Sequence, residues 1–360
     1  MQTDYKVLLE QLNKIKPIEY GFNRNYIDGD VTRLSPYISR GVLSTRQVLD
    51  SLIKRGFDLG KIEKMIQELA WRDYWQRVWQ EKNIDIEIKH SQKDVIDYGV
   101  SESIVNANTG IEAIDLQINE LYRTGYMHNH LRMYVASLST NVAKNHWKVP
   151  AKWMYYHLLD GDWASNALSW QWVAGVNSNK NYIANQENIN KYTHTNQKGS
   201  FLDVDYQKLS LISQPEELRD LSKFDFEITY PEFETFNIND GQSVCIYNYY
   251  NLDPNWRKES KYHRVLLIEP SIFGKYPIGE KAMNFMLSLA RNIDDIKVFV
   301  GEFNQLPIGQ SQVIFKEHPL NKNYKGIEDQ REWMSSIKGY HSSFFSFWKK
   351  AKKEIFQKNA

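Results

Sequence analysis

The chain has one cysteine, Cys245, in 360 residues. A single thiol excludes an internal disulfide and any cysteine-built metal or iron–sulfur site, no metal is expected, and a reducing cytoplasm is the expected setting. No apolar run approaches the roughly 20 residues that cross a bilayer, so no membrane span is expected. The opening residues, Met1-Gln2-Thr3-Asp4-Tyr5, have neither the basic start nor the apolar stretch of a signal peptide. Glycine-rich nucleotide fingerprints of the GxGxxG or P-loop type are missing, as are internal repeats and low-complexity segments. An excess of either charge is missing too: 45 Lys+Arg stand against 44 Asp+Glu, a net charge of +1. Extended electrostatic binding to DNA is therefore not expected, and only a local basic patch is left open.

What the chain has in quantity is aromatic residues, 14% of the total, with 11 Trp and 22 Tyr. A large aromatic core accounts for such a supply, and so do rings that stack on a flat ligand or relay electrons; position must decide. The length suits two domains better than one core. The expected fold is mainly α: a helical domain over 1–206, a linker over 207–240 and a smaller α/β domain over 241–360.

Helical signals crowd the first half. Ser44-Thr45-Arg46-Gln47 has the form of a capping box and precedes Val48, Leu49 and Leu52. Ile62, Met65, Ile66 and Leu69 fall at helical spacing, in a run that continues to Trp79. Ile111 to Leu121 and Leu131 to Val142 predict two more helices, and Pro150 suits the first position of another. After about Tyr206 the texture changes. Gln214 to Asn239 is acidic, Pro-containing and weakly periodic. Ser243–Tyr250, Arg264–Glu269, Ile296–Gly301 and Gln312–Lys316 read as strands, with a helix over Gly279–Arg291 between the second and third. Phe344, Phe345, Phe347 and Trp348 begin a core-docked helix that ends in a basic run from Lys349 to Lys353.

Four segments carry chemistry. In Asp30-Val31-Thr32-Arg33-Leu34-Ser35, two hydroxyls and backbone amides at a turn can cradle a phosphate, or simply satisfy the local backbone. On a helix, Glu68, Trp71, Arg72 and Trp75 share one face, offering an acceptor, two rings and a cation. The third segment is Thr124-Gly125-Tyr126-Met127-His128-Asn129-His130-Leu131-Arg132-Met133. The fourth runs from Leu159-Asp160-Gly161-Asp162 through Asn166 to Trp170-Gln171-Trp172-Val173.

In order and character these segments resemble the flavin-binding core of the photolyase/cryptochrome family, over about Tyr20 to Tyr192. The resemblance implies bound FAD. By that likeness Tyr20 and the run Val31, Thr32, Arg33, Leu34 and Ser35 hold its phosphates, and Arg72 joins the cofactor contacts. Asp160, Gly161 and Asp162 line the adenine–ribose and isoalloxazine region, Arg132 pairs with Asp160 beside the ring, and Asn166 lies next to flavin N5. Trp170 and Trp147 match the inner members of the family's electron chain. Asp94 stands at the outer position, and Tyr98 is a candidate substitute. Val31, Tyr126 and His130 stand where the family has Thr, Trp and Arg.

The same resemblance implies DNA containing pyrimidine dimers as partner. Trp71 and Trp172 match the walls for a flipped lesion, Glu68 the group that bonds the pyrimidine edge, and Asn129 and Met133 the rest of the pocket. Repair of the (6-4) photoproduct uses a histidine pair at those last two positions, so the cyclobutane dimer is favoured. Arg24, Trp75 and His130 join Glu68, Trp71 and Asn129 as expected DNA contacts. The expected activity is that of a light-dependent deoxyribodipyrimidine photolyase, acting as a monomer. The alternative is a cryptochrome-like photoreceptor that signals by flavin photoreduction. The α/β segment is read as a displaced antenna-like domain or an unrelated addition, its pigment undefined.

Overall fold

The computed structural model describes residues 1–178, 180–209, 212–233, 236, 238 and 241–358. Within the expected linker, Ser210, Leu211, Glu234, Thr235, Asn237, Asn239 and Asp240 lie outside the described residues. Besides the ten-residue helix Tyr5–Lys14, the helices that matter below are, in chain order, α1 (Thr45–Lys54), α2 (Glu63–Glu81), α3 (Glu112–Thr124), α4 (Asn129–Ser137), α5 (Lys148–His157), α6 (Trp163–Val173), α7 (Gln186–Thr193), α8 (Glu280–Ala290) and α9 (Phe344–Lys358). The strands are β1 (Val244–Tyr247), β2 (His263–Ile268), β3 (Ile296–Val300), β4 (Val313–Lys316) and β5 (Ile327–Asp329).

The chain forms two compact units, and both are discontinuous. One comprises Met1–Ile18, Thr32–Glu81 and Glu227–Ala360; the other comprises Glu19–Val31 and Lys82–Phe226. These units cut the chain differently from boundaries at 206 and 240, and the three-part domain division remains a proposal.

In the first unit a parallel sheet runs in the order β3-β2-β1-β4-β5. Strands β1, β2 and β4 are short apolar runs because their side chains are buried on both faces. Val244, Ile246, Val265, Leu267, Val313 and Phe315 fill one side, while Tyr247, Leu266, Ile268 and Ile314 are buried on the other. Cys245 is buried in β1, and burial pushes its thiol up to about 11, which leaves it unreactive. Four strands and α8 lie where the sequence predicts them. β5 was not expected: it is a three-residue edge strand with two acidic residues and no apolar alternation.

The early helices of this unit are held locally. Ser44 Oγ accepts the Gln47 N–H at 3.0 Å and Gln47 Oε1 accepts the Ser44 N–H at 2.9 Å, so both arms of the capping box close at α1. On α2 the buried Asp73 accepts from Thr45 Oγ1 at 2.8 Å and from the Met334 N–H at 2.9 Å. Helix α9 packs on α2, with Phe344, Phe347, Trp348, Ala351 and Ile355 buried.

The second unit is helical. Helix α3 stops at Gly125, whose φ of 72° is left-handed and whose N–H reaches the Leu121 carbonyl at 2.8 Å. A Cβ there would sit 2.5 Å from Leu159 Cγ, so only glycine lets the 158–162 turn come this close. The Leu159 N–H duly donates to the Gly125 carbonyl at 2.9 Å. The expected helix from Leu131 to Val142 is α4 followed by a π-helical turn, Leu138–Val142. Pro150 is the third residue of α5 rather than the first, still within the turn whose N–H groups have no helical partner.

Candidate functional site

The Gly125–Leu159 contact brings the third and fourth segments together in the second unit. His128 caps α4 by accepting the His130 N–H on Nδ1 at 3.2 Å, which fixes where the helix starts. One turn on, Arg132 is clamped at three points. Its Nε donates to the Met127 carbonyl at 2.9 Å, and one terminal nitrogen lies 3.0 Å from each Asp160 oxygen. Asp160 is only 5% exposed, so the pair is a buried one and needs both partners.

The turn that carries Asp160 is tight. A Cβ at Gly161 would lie 3.0 Å from the Tyr155 carbonyl oxygen and 3.1 Å from that of Leu158. Asp162 caps α6, accepting the Ser165 N–H at 2.8 Å. One turn into α6, the half-buried Asn166 donates from Nδ2 to the Ala151 carbonyl at 2.8 Å. That bond holds its amide in one orientation. Trp170 is buried on the same helix, and Trp172 is 37% exposed with its ring 5.6 Å from that of Tyr182.

Trp147 is fully buried and held from the loop before α3: its N–H donates to Gln92 Oε1 at 2.8 Å and its indole N–H to Glu87 Oε1 at 3.4 Å. The same Glu87 oxygen meets His146 Nε2 at 2.7 Å. Burial pushes the Glu87 carboxyl upward, but the His146 hydrogen bond and its other partners outweigh this and hold it below the usual carboxylate range. Tyr98, 71% exposed, stacks on the His146 ring at 5.1 Å, and that ring lies 5.8 Å from Trp147.

His130 is turned inward. It is 8% exposed, its Nδ1 lies 2.9 Å from the Asn25 carbonyl, and Tyr134 and Tyr192 press on its ring. Burial pulls its imidazole below the usual range; the nearby Arg24 guanidinium adds to this, against the Asn25 hydrogen bond. A neutral, covered ring does not suit the expected DNA contact. Asn129 beside it is exposed and Met133 half-buried. Arg24 donates to the Gly21 carbonyl at 2.9 Å, with its guanidinium 6.0 Å from the Tyr20 ring.

In the phosphate-cradle segment the structure shows local backbone bonds. The Val31 N–H closes onto the Gly29 carbonyl at 2.7 Å, and the Leu34 N–H onto Thr32 Oγ1 at 3.3 Å, so neither amide is free. The Leu34 side chain is buried in the core of the first unit. Arg33 is exposed at a left-handed φ of 53°, and Ser35 opens a helix of only five residues.

Glu68, Trp71, Arg72 and Trp75 lie along α2 in the first unit. Glu68 pairs with Lys64 at 3.1 Å, and Arg72 donates to Ser39 Oγ at 3.1 Å. Trp71 is half-buried and stacks on Phe344 of α9, centroids 3.6 Å apart and planes within 9°. Trp75 is 8% exposed, covered by Trp71 and Tyr74, so it supports the Trp71 indole rather than reaching DNA itself. Sequence patterns alone do not point to Glu87, His146, Gln92 or Tyr182, and they mark Phe344 only as a core residue. Their main partners lie elsewhere in the sequence, as Glu87 does for His146, and none sits in a recognisable motif.

Among the described residues no group of three or more His, Cys, Asp or Glu is placed to hold a metal ion. No helix there is long and apolar enough to cross a membrane.

Residues 65–209 match the family model described as the FAD binding domain of DNA photolyase. A deoxyribodipyrimidine photo-lyase of Alkalihalophilus pseudofirmus is 32% identical over 181 residues, 47% of this chain and 36% of that protein. One of Vibrio cholerae is 33% identical over 158 residues, 40% of this chain and 32% of that protein. The chain thus spans about a third of the length of these curated relatives. The crystal structure of a bacterial class III photolyase from Agrobacterium tumefaciens aligns with a TM-score of 0.42 at 22% identity, over 52% of this chain and 44% of that one, too slight a likeness to argue from. The Arg132–Asp160 pair and the Asp162 cap fall within the matched residues, so the likeness to the FAD binding domain of DNA photolyase covers the part of the chain that holds them.

Proposed function

We propose that this protein is a light-dependent flavoprotein that splits cyclobutane pyrimidine dimers in DNA. The observation that carries the reading is the three-point clamp on Arg132 beside the buried Asp160, inside the segment that matches the FAD-binding family. A guanidinium fixed in that way supplies a permanent positive charge where an anionic reduced ring needs one. Asp160, Gly161 and Asp162 are the residues that would hold the cofactor. Asn166, its Nδ2 engaged by Ala151, keeps its amide oxygen in a fixed direction and cannot ionise. The chemistry supplied by bound, reduced FAD is the loan of one electron on light absorption, returned once the two bonds joining the pyrimidines have broken.

The remaining roles belong to side chains that receive the lesion. In the first unit Glu68 is assigned to the pyrimidine edge, and Trp71 offers a ring face. In the second unit the residues assigned to the lesion are Trp172, Asn129, exposed at the start of α4, and Met133 one turn on. The parallel sheet of the first unit is read as a displaced antenna-like domain, and the protein as a cytoplasmic monomer. A second reading, a blue-light photoreceptor without repair, is favoured by one observation: His130, standing where the family has an arginine, is buried and shifted toward its neutral form.

The absorption spectrum of the purified protein tests the first step, since a preparation that neither carries nor takes up FAD ends both readings. Illumination with dimer-containing DNA separates them. Loss of dimers supports repair; flavin photoreduction with dimers intact supports the photoreceptor.

A further inference from the structure

Helix α9 keeps its apolar and basic residues on opposite sides. Phe344, Phe347, Trp348, Ala351 and Ile355 are buried, whereas Lys349, Lys350 and Lys353 are exposed. At helical spacing these three lysines fall within a sector of about 100° and rise about 6 Å along the axis. Lys352 and Lys358 are instead held by carboxylates, at 2.6 Å from Glu63 and 2.6 Å from Glu354. Lys349 and Lys353 stand at i and i+4, where like charges repel, and a polyanion laid across them removes that cost. In a chain whose net charge is +1, the strip is a local departure from balance.

The buried side of the same helix fixes its place. Phe344 stacks on Trp71 at 3.6 Å and Phe347 packs on Tyr74 at 5.7 Å, so the lysine strip begins within the first unit beside Trp71. Lys349 stands five positions after Phe344, roughly 7.5 Å along the helix. Successive phosphates of one DNA strand advance roughly 3.4 Å along the duplex axis. The strip therefore has the charge and length to meet two or three of them.

We propose that α9 is a DNA-backbone contact. Phe344 and Phe347 fasten it next to Trp71, and Lys349, Lys350 and Lys353 take phosphates of the strand whose bases approach that ring. The inference rests on the reading of this chain as a DNA-directed protein. It assigns a cationic surface outside the matched residues 65–209.

The test is a salt series of DNA affinities, using the full chain and the triple variant Lys349→Gln, Lys350→Gln, Lys353→Gln. Glutamine matches lysine in helix propensity, and circular dichroism checks that the helix persists. Two duplexes of one sequence are used, one carrying a cyclobutane dimer. The slope of log affinity against log salt should become shallower by about 0.9 for each phosphate no longer neutralised, between ~1 and ~3 in all, equally on both duplexes. A control triple, Lys258→Gln, Lys261→Gln and Lys275→Gln, should leave the slope unchanged. An unchanged slope in the α9 variant, or an equal fall in the control, overturns the proposal. Failure of the repair reading looks different: the unaltered protein then shows no preference for the dimer duplex, whatever the slopes do.

Discussion

Arg132 holds Asp160 through a single terminal nitrogen, 3.0 Å from each carboxylate oxygen, while its Nε is spent on the Met127 carbonyl. Truncating Arg132 to alanine leaves the Asp160 carboxylate buried without its cation, a loss on the order of 3–5 kcal/mol. The expected outcome is a lowered melting temperature together with loss of bound flavin. Arg132→Lys keeps the charge but not the three-point geometry, and should retain part of both. Melting curves and flavin absorbance per mole of protein measure the two effects. Stoichiometric FAD in Arg132→Ala would remove the pair from the site.

Glu68 and Trp71 serve the lesion in the proposed function, not the cofactor. Glu68→Ala and Trp71→Ala are expected to lower dimer repair while the flavin stays bound. A stacked base is worth about 1–3 kcal/mol, so Trp71→Ala should weaken binding of dimer DNA roughly 5- to 150-fold. Trp71→Phe keeps a ring against Phe344 and should recover most of the stability and some of the binding. If either alanine variant loses its flavin, the assignment of this α2 face is wrong.

Tyr98, His146 and Trp147 form a row of rings from the surface to the interior, at centroid separations of 5.1 and 5.8 Å. Glu87 bonds both His146 and Trp147, so a proton acceptor lies within the row. We predict that Tyr98 takes the place of the outer tryptophan whose position Asp94 occupies. Photoreduction of the flavin, followed by bleaching of its absorption in the presence of an external reductant, should slow in Tyr98→Phe and slow further in Trp147→Phe. Repair by a chemically reduced sample should not change in Tyr98→Phe. Equal photoreduction in Tyr98→Phe and the unaltered protein would falsify the relay.

Two buried histidines make stability depend on pH. His130 is shifted below its usual range and His318 well below, in both cases first by burial; Arg24 adds to the shift of His130, and Arg331 and Arg40 to that of His318. Both are depressed, so unfolding takes up protons. Their contribution is fully present above the unfolded imidazole pKa, near 6.5, and is lost as pH falls below it toward the folded values. Each group adds at most about 1.4 kcal/mol per pH unit in that window. Thermal melts from pH 7.5 down to pH 5 should show falling stability. His130→Asn or His318→Gln should flatten the curve, and a curve as steep in both variants assigns the effect elsewhere.

Much of the local architecture was legible because it depends on neighbours in the chain. The Ser44–Gln47 box closes as its residue types demand, and the α9 amphipathicity follows directly from the spacing of Phe344, Phe347, Trp348 and Ala351. The candidate site was legible through the family resemblance alone; that Asp162 caps α6 and Gly125 stops α3 came from the structure, although both are local features. The phosphate cradle was less so. Backbone amides at 31 and 34 look available in sequence, but short-range acceptors at Gly29 and Thr32 reach them first. β5 escaped because three residues with two acids carry no periodicity.

By itself, the sequence determined the helical character of the first half, four of the strands, the order of the four chemistry-bearing segments and the likeness of one stretch to an FAD-binding domain. Hydrogen bonds a few residues long and the 3.6- and 2-residue periods suffice for those. Only the tertiary structure decided that Arg132 meets Asp160, that His130 turns inward to the Asn25 carbonyl and that Phe344 covers a face of Trp71. Those outcomes depend on which distant surface fits an exposed ring or charge. Many apolar and polar stretches of this aromatic-rich chain satisfy the same local pattern, and shape and burial in the folded units choose among them.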